Sequence, residues 1–117
     1  MDLESVAQFT RSELAEALRK GPYQVNVLIA GVEEEGAKMY WMDYLGALQR
    51  VTKGAHGYAG YFVSSTLDNA YHPDMTKEEG LEAIKKCITV LKTRFLMDQP
   101  SFTVKVITKA GTEVLEL

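Results

Sequence analysis

The chain has 117 residues, 46% of them hydrophobic and 25% charged, with a net charge of -3. That is enough for one globular domain, and no basic stripe is present to neutralise phosphates, so nucleic-acid binding is not expected. The lone cysteine, Cys87, excludes an internal disulfide and fits a reducing compartment.

The elements read in chain order as follows. Leu3, Val6, Ala7, Leu14, Ala17 and Leu18 recur at helical steps with charged residues between them, which predicts an amphipathic first helix. Asp2, Glu4, Glu13 and Glu16 in this stretch argue against a signal peptide. Lys20-Gly21-Pro22 stops the helix with a basic last turn, a glycine and a proline. Tyr23 to Ala30 predicts a strand, with Val25 and Val27 inward and Gln24 and Asn26 outward. Gly31 to Gly36 is a charged turn, Met39 to Tyr44 the returning arm of a hairpin, and Ala47 to Val51 a short third strand.

Gly54, Gly57 and Gly60 then lead into a helix over Tyr58 to Tyr71, with Phe62, Ser65 or Thr66, and Ala70 along one side. His72-Pro73-Asp74 is a loop. Thr76 and Glu79 have capping-box spacing, which predicts a helix start there. Leu81, Ile84, Ile88, Leu91 and Phe95 follow at 3-4-3-4 spacing. After Pro100, Phe102, Val104 and Val106 alternate along a strand, Lys109-Ala110-Gly111 turns, and Thr112 to Leu117 returns. Runs such as Val27 to Ala30 fall far short of the ~20 apolar residues of a membrane span, so no membrane partner is expected. Helix, three strands, two helices and two strands, without a strand-helix-strand repeat, predict an α+β fold of antiparallel sheets in a single domain over residues 1–117.

The stretches YQVNVLIAG (Tyr23 to Gly31), MYWMDYLG (Met39 to Gly46), GAHGYAG (Gly54 to Gly60) and YHPDMTKEEG (Tyr71 to Gly80) occur in an order that resembles the C-terminal portion of a proteasome β-type subunit, most closely that of the fourth position of the β ring. The resemblance covers essentially the whole chain. It implies part of an αββα four-layer sandwich of the N-terminal-nucleophile hydrolase type, beginning at the family's second helix. The family's earlier strands, which carry the nucleophile, a buried acid and a catalytic lysine, have no counterpart among these residues.

Members of that family are either threonine peptidases or silent wall pieces. The peptidases use an N-terminal threonine whose α-amine is the base, whereas this sequence opens Met1-Asp2. Its only Gly-Thr pair, Gly111-Thr112, falls in the final hairpin, where a turn glycine and a strand threonine account for it. Active relatives carry a serine after the glycine matched by Gly57; here it is Tyr58. They carry an aspartate after the basic residue matched by Arg94 and a serine three residues on; here these are Phe95 and Asp98. The resemblance therefore implies an inactive subunit, with no catalytic residue.

Other candidates weaken on inspection. Cys87 with His56 or His72 would suggest a thiol nucleophile, but Cys87 sits on or beside the apolar stripe, where a small buried side chain is the simpler reading. Two histidines without a cysteine or carboxylate pair nearby do not make a metal site, and no cofactor is expected. Gly54, Gly57 and Gly60 match neither phosphate-binding spacing, so close packing of a turn is expected instead. Glu33, Glu34 and Glu35 read as diverging, solvated charges.

The reading that results is a non-catalytic β subunit of the 20S proteasome core particle, contributing to ring assembly for ubiquitin-dependent degradation in the cytoplasm and nucleus. Its partners would be other proteasome α and β subunits. Trp41 and Tyr44 are suspected interface residues because Trp and Tyr are enriched at interface centres. Tyr58, Tyr61, Tyr71 and His72 are suspected because, in the family, the corresponding helices and loop carry contacts between rings and neighbours. Expressed alone, such a chain would leave sheet edges open, which predicts a homo-oligomer, a strand-swapped assembly or an aggregation-prone monomer. The alternatives are a small Cys87-dependent hydrolase, a peptidase whose other half comes from a second chain, and an assembly or binding module for proteasome rings.

Overall fold

A computed structural model describes residues 2–94 and 101–116. The order of elements is helix, three strands, two helices and two strands, as the sequence predicts. The chain divides into two compact units, Met1–Thr52 with Ile107–Thr112, and Lys53–Val106 with Glu113–Leu117.

In the first unit, α1 (Leu3–Ala17) begins at Asp2, whose extended backbone and carboxylate form an N-cap. The Asp2 carboxylate accepts from the Ser5 amide at 2.8 Å, and hydrogen bonding to the Ser5 side chain, then to this amide, holds its pKa below the ordinary carboxyl value. The helix closes where the amides of Lys20 and Gly21 both donate to Ala17 O, with Gly21 at φ +153° ahead of Pro22. Ala7 and Leu14 are buried on its inner face.

The sheet of this unit has the order β1-β2-β3, all antiparallel: β1 (Val27–Glu33), β2 (Gly36–Met42) and β3 (Leu48–Val51). The register pairs Val27 with Met42 and Glu33 with Gly36. Alternate residues share a face, so Met42 and Tyr40 lie with Ile29, Gly31 and Leu48 on one side. That side meets α1: a Cβ on Gly31 would stand 3.3 Å from Leu3 Cδ1. Met42 is fully buried there and Tyr40 nearly so, which places the core of the unit between β2 and α1.

Both strands of the first hairpin differ in extent from expectation. The first strand begins at Val27 rather than Tyr23, and continues through Gly31 and Val32 to Glu33. Its partner stops at Met42, so the residues before Val27 have no backbone ladder to join. Asn26 instead offers its side-chain oxygen to the Tyr44 amide at 3.0 Å. Val25, expected inward, is exposed, as is Tyr23. The second strand stops at Met42 because Asp43 starts a turn: its Oδ1 accepts from the amides of Leu45 and Ala47, each at 3.0 Å. The charged turn shrinks accordingly to Glu34 and Glu35, with Gly36 at φ +117°.

In the second unit, α2 (Gly57–Ala70) packs against α3 (Lys77–Arg94). Val63 of α2 is buried, with Phe62, Thr66, Leu67 and Ala70 half-buried beside it. The capping box forms at the start of α3: Thr76 Oγ1 accepts from the Glu79 amide and Glu79 Oε1 accepts from the Thr76 amide, both at 3.2 Å. The buried face of α3 is Ala83, Cys87 and Ile88. Ile84, placed by the sequence in the apolar stripe, is 37% exposed. The covered face runs through Ala83, Cys87 and Ile88, with Leu81 and Leu91 half-buried, so the helix is rotated away from Ile84 relative to the expected stripe. Phe95, the last residue of the expected stripe, lies outside the described residues.

The last two strands, β4 (Thr103–Thr108) and β5 (Gly111–Glu116), make a separate two-stranded sheet. Phe102, Val104 and Val106 are half-buried while Thr103, Lys105 and Ile107 are exposed, which is the alternation the sequence shows. Gly111 turns the hairpin at φ +133°, and Thr108 Oγ1 bridges the turn to Gly111 O and the Ala110 amide.

Candidate functional site

The positions that would matter for peptidase chemistry are partly visible. Gly57 has φ +70°, a left-handed conformation that glycine adopts without strain. The chain enters α2 there and projects Tyr58, which is 75% exposed. A phenol is a poor group for orienting an amine at that point, because its hydroxyl sits at the far end of a bulky ring. Gly60 departs from the expected tight packing: a Cβ there would meet Ala55 O at an ordinary 3.7 Å. Phe95 and Asp98, the other two substituted positions, lie outside the described residues.

Cys87 is buried, as the sequence suggests, at 7% exposure. Burial pushes its thiol pKa up, which disfavours the thiolate that a nucleophile needs. Among the described residues, no group of three or more His, Cys, Asp or Glu side chains is arranged to hold a metal ion.

The acidic turn is not uniformly solvated. Glu33 lies in β1, and its Oε2 faces the Leu3 amide at 3.4 Å, at the positive end of α1. Its Oε1 lies 3.2 Å from Lys38 Nζ, and Glu35 Oε2 approaches the same ammonium at 3.4 Å. The hydrogen bond to Glu33 is the main cause of a raised Lys38 pKa. Glu34 is almost wholly exposed and stands 3.7 Å from Lys109. Contrary to the expectation of three diverging charges, Glu33 and Glu35 converge on Lys38 and only Glu34 points away, while Glu33 also ties the hairpin to the helix start, because the hairpin register brings Lys38 between them.

The suspected interface residues fall into three places. Trp41 is half-buried on β2, opposite Leu28 and Gln49. Tyr44 follows in the Asp43 turn, 43% exposed beside Leu45 at 50%. That turn is firmly built: Gly46 takes φ +83° and its Cα side lies against α1, so that a Cβ would meet Arg11 O at 3.3 Å. Tyr58 and Tyr61 share one side of α2, and Tyr61 is 86% exposed. Tyr71 is half-buried with Lys53 Nζ 4.9 Å from its ring centre, and Lys53 also pairs with Asp68 at 3.4 Å. His72 is exposed and bonds Pro73 O and Glu79. The Asp43 turn and the His72–Glu79 pair escape periodicity arguments; an aspartate at the end of an apolar strand and a histidine seven residues before an N-terminal helix carboxylate are the signals that point to them.

An α+β chain of antiparallel sheets and flanking helices, with a glycine-led helix entry and a capped long helix, defines the class. The chain belongs to the proteasome subunit family, whose model matches residues 1–107. Within it, the similarity is to particular β subunits. The chain is 47% identical over 108 residues to the proteasome subunit beta type-2-A of Arabidopsis thaliana, covering 92% of this chain and 53% of that protein. It is 41% identical over 119 residues to the beta type-2 subunit of Dictyostelium discoideum, covering 98% and 60%. It is 45% identical over 111 residues to the beta type-4 subunit of Saccharomyces cerevisiae, covering 92% and 56%. The chain thus spans little more than half the length of the curated relatives it matches.

Proposed function

We propose that this chain is part of a β subunit of the 20S proteasome core particle, one that builds the ring wall rather than cutting peptide bonds. The observation that carries the reading is the continuous match to β type-2 and type-4 subunits across both units, at 41–47% identity in the three relatives above. Tyr58 supports the silent role, because it occupies the place of a serine in active relatives and points away from the packed core. Burial of Cys87 counts against the thiol-hydrolase alternative.

On this reading the two antiparallel sheets belong to a four-layer sandwich of a single domain. Trp41, Tyr44, Tyr58, Tyr61, Tyr71 and His72 contact neighbouring α and β subunits, in the cytoplasm and nucleus. The exposed rings of Tyr44, Tyr58 and Tyr61 suit that role, since each brings a large rigid surface at little entropic cost. An epitope-tagged chain expressed in its own cells tests this. Stable co-fractionation with the peptidase-active particle is expected, and a Tyr58→Asp/Tyr61→Asp double variant should reduce it. Association only with immature rings would favour an assembly module, and a tagged chain found solely outside such particles would overturn the proposal.

A further inference from the structure

We propose that His72 is a proton-operated clamp on the loop between α2 and α3, closed as the imidazolium and half-released as the neutral ring. Nδ1 lies 2.9 Å from Pro73 O, and Nε2 lies 2.7 Å from Glu79 Oε2. Both partners are acceptors, a carbonyl and a carboxylate. A neutral imidazole carries one N–H and can serve only one of them; the imidazolium donates to both.

Glu79 is the hinge of the arrangement. Its Oε1 accepts from the Thr76 amide, and its own amide donates to Thr76 Oγ1. One carboxylate therefore closes the capping box of α3 and holds the imidazole. The loop between them contains Asp74 at φ +61°, a left-handed conformation that aspartate adopts more readily than most residues. Glu78, Glu79, Glu82 and Lys86 of α3 line, with His72 and Met75, a shallow hollow of about 300 Å³. Asp74 adds a charge from the loop. On the α2 side, Asp68 is paired with Lys53, whose ammonium stands over Tyr71. Lys77 is drawn to Glu113 at 3.0 Å. Glu82 is paired with Lys85 at 3.4 Å, which leaves Glu78, Glu79 and Asp74 against the ammonium of Lys86, so the local field favours the charged imidazole.

The Pro73 carbonyl, then Glu79, raise the His72 pKa above its ordinary 6.5. The Thr76 amide, then His72, hold Glu79 below its ordinary 4.5. For His72 the extra stability is complete below pH 6.5 and is lost as pH rises through the raised value. For Glu79 it is complete above pH 4.5 and is lost as pH falls through the lowered value. The clamp is fully closed between these two values and opens on the alkaline side first.

Proton NMR of the full chain tests the proposal. The His72 ring should titrate above the ordinary imidazole value, and its midpoint should fall in Glu79→Gln, which keeps an acceptor for the Thr76 amide but loses the charge. Hydrogen exchange at Thr76, corrected for the intrinsic pH dependence, should quicken by roughly two- to five-fold as pH passes the His72 midpoint, the scale of an exposed ion pair. In His72→Gln that step should vanish. A His72 midpoint at or below the ordinary value overturns the clamp, as does Thr76 exchange without a step at that midpoint. Both readouts come from the wild-type chain, so they stand if a variant fails to fold.

Discussion

Replacing Gly46 with alanine tests the seat of the Asp43 turn on α1. Two costs combine at that position. Gly46 has φ +83°, where a Cβ is strained by about 1–2 kcal/mol. The new Cβ would also stand 3.3 Å from Arg11 O, with Ala15 Cβ and N at 3.5 Å. Those are backbone and short side-chain atoms of a helix, which cannot swing aside, so crowding adds roughly 1–2 kcal/mol. The sum is about 2–4 kcal/mol. Gly57 supplies the control: it has φ +70° at the entry to α2, with nothing within 4 Å of an added Cβ. Gly57→Ala should therefore cost about 1–2 kcal/mol, the conformational part alone. Denaturant unfolding of the purified chain, followed by circular dichroism for both variants, reads the difference. A Gly46→Ala cost equal to or smaller than that of Gly57→Ala would refute the close seating of the turn on α1.

Thr76→Ala should destabilise by about 1 kcal/mol through loss of the α3 cap, with Thr76→Ser recovering most of it, as measured by the same unfolding transition. Ile88→Ala should cost about 2–4 kcal/mol and Ile84→Ala roughly 1 kcal/mol or less, because Ile88 is buried and Ile84 is not; equal losses would contradict the orientation of α3. Cys87 should react with a thiol reagent at least about ten-fold more slowly in the folded protein than in denaturant at neutral pH, given its burial and raised pKa. Rapid labelling of the folded chain would revive the thiol-nucleophile alternative.

The order of elements was legible in the sequence because each carries a local signal. The capping pair at Thr76 and Glu79, the alternation from Phe102 to Val106 and the Gly21-Pro22 stop all reappear in the structure. What the sequence hides is set by partners distant along the chain. The start of β1 at Val27 depends on where β2 ends, and β2 ends where Asp43 captures two amides. The buried face of α3 depends on which side chains let α2 approach, so periodicity gave the stripe but not its rotation. Glu33 looked like a surface charge because its partners, Leu3 and Lys38, are brought to it by the helix packing and the hairpin register. The interface candidates show the same division. Aromatic residues could be picked from the sequence, but the exposure that separates Tyr58 and Tyr61 from half-buried Trp41 is a property of the packing.

The membership of a ring particle is tested most directly by the native mass of the protein in its own cells, with the denatured chain weighed by mass spectrometry from the same fraction. The proposal of a β-ring wall subunit predicts that the sequence is recovered within a particle of many subunits, alongside other α and β chains. Recovery as a free monomer or a small oligomer, with no such particle containing it, would contradict the proposal.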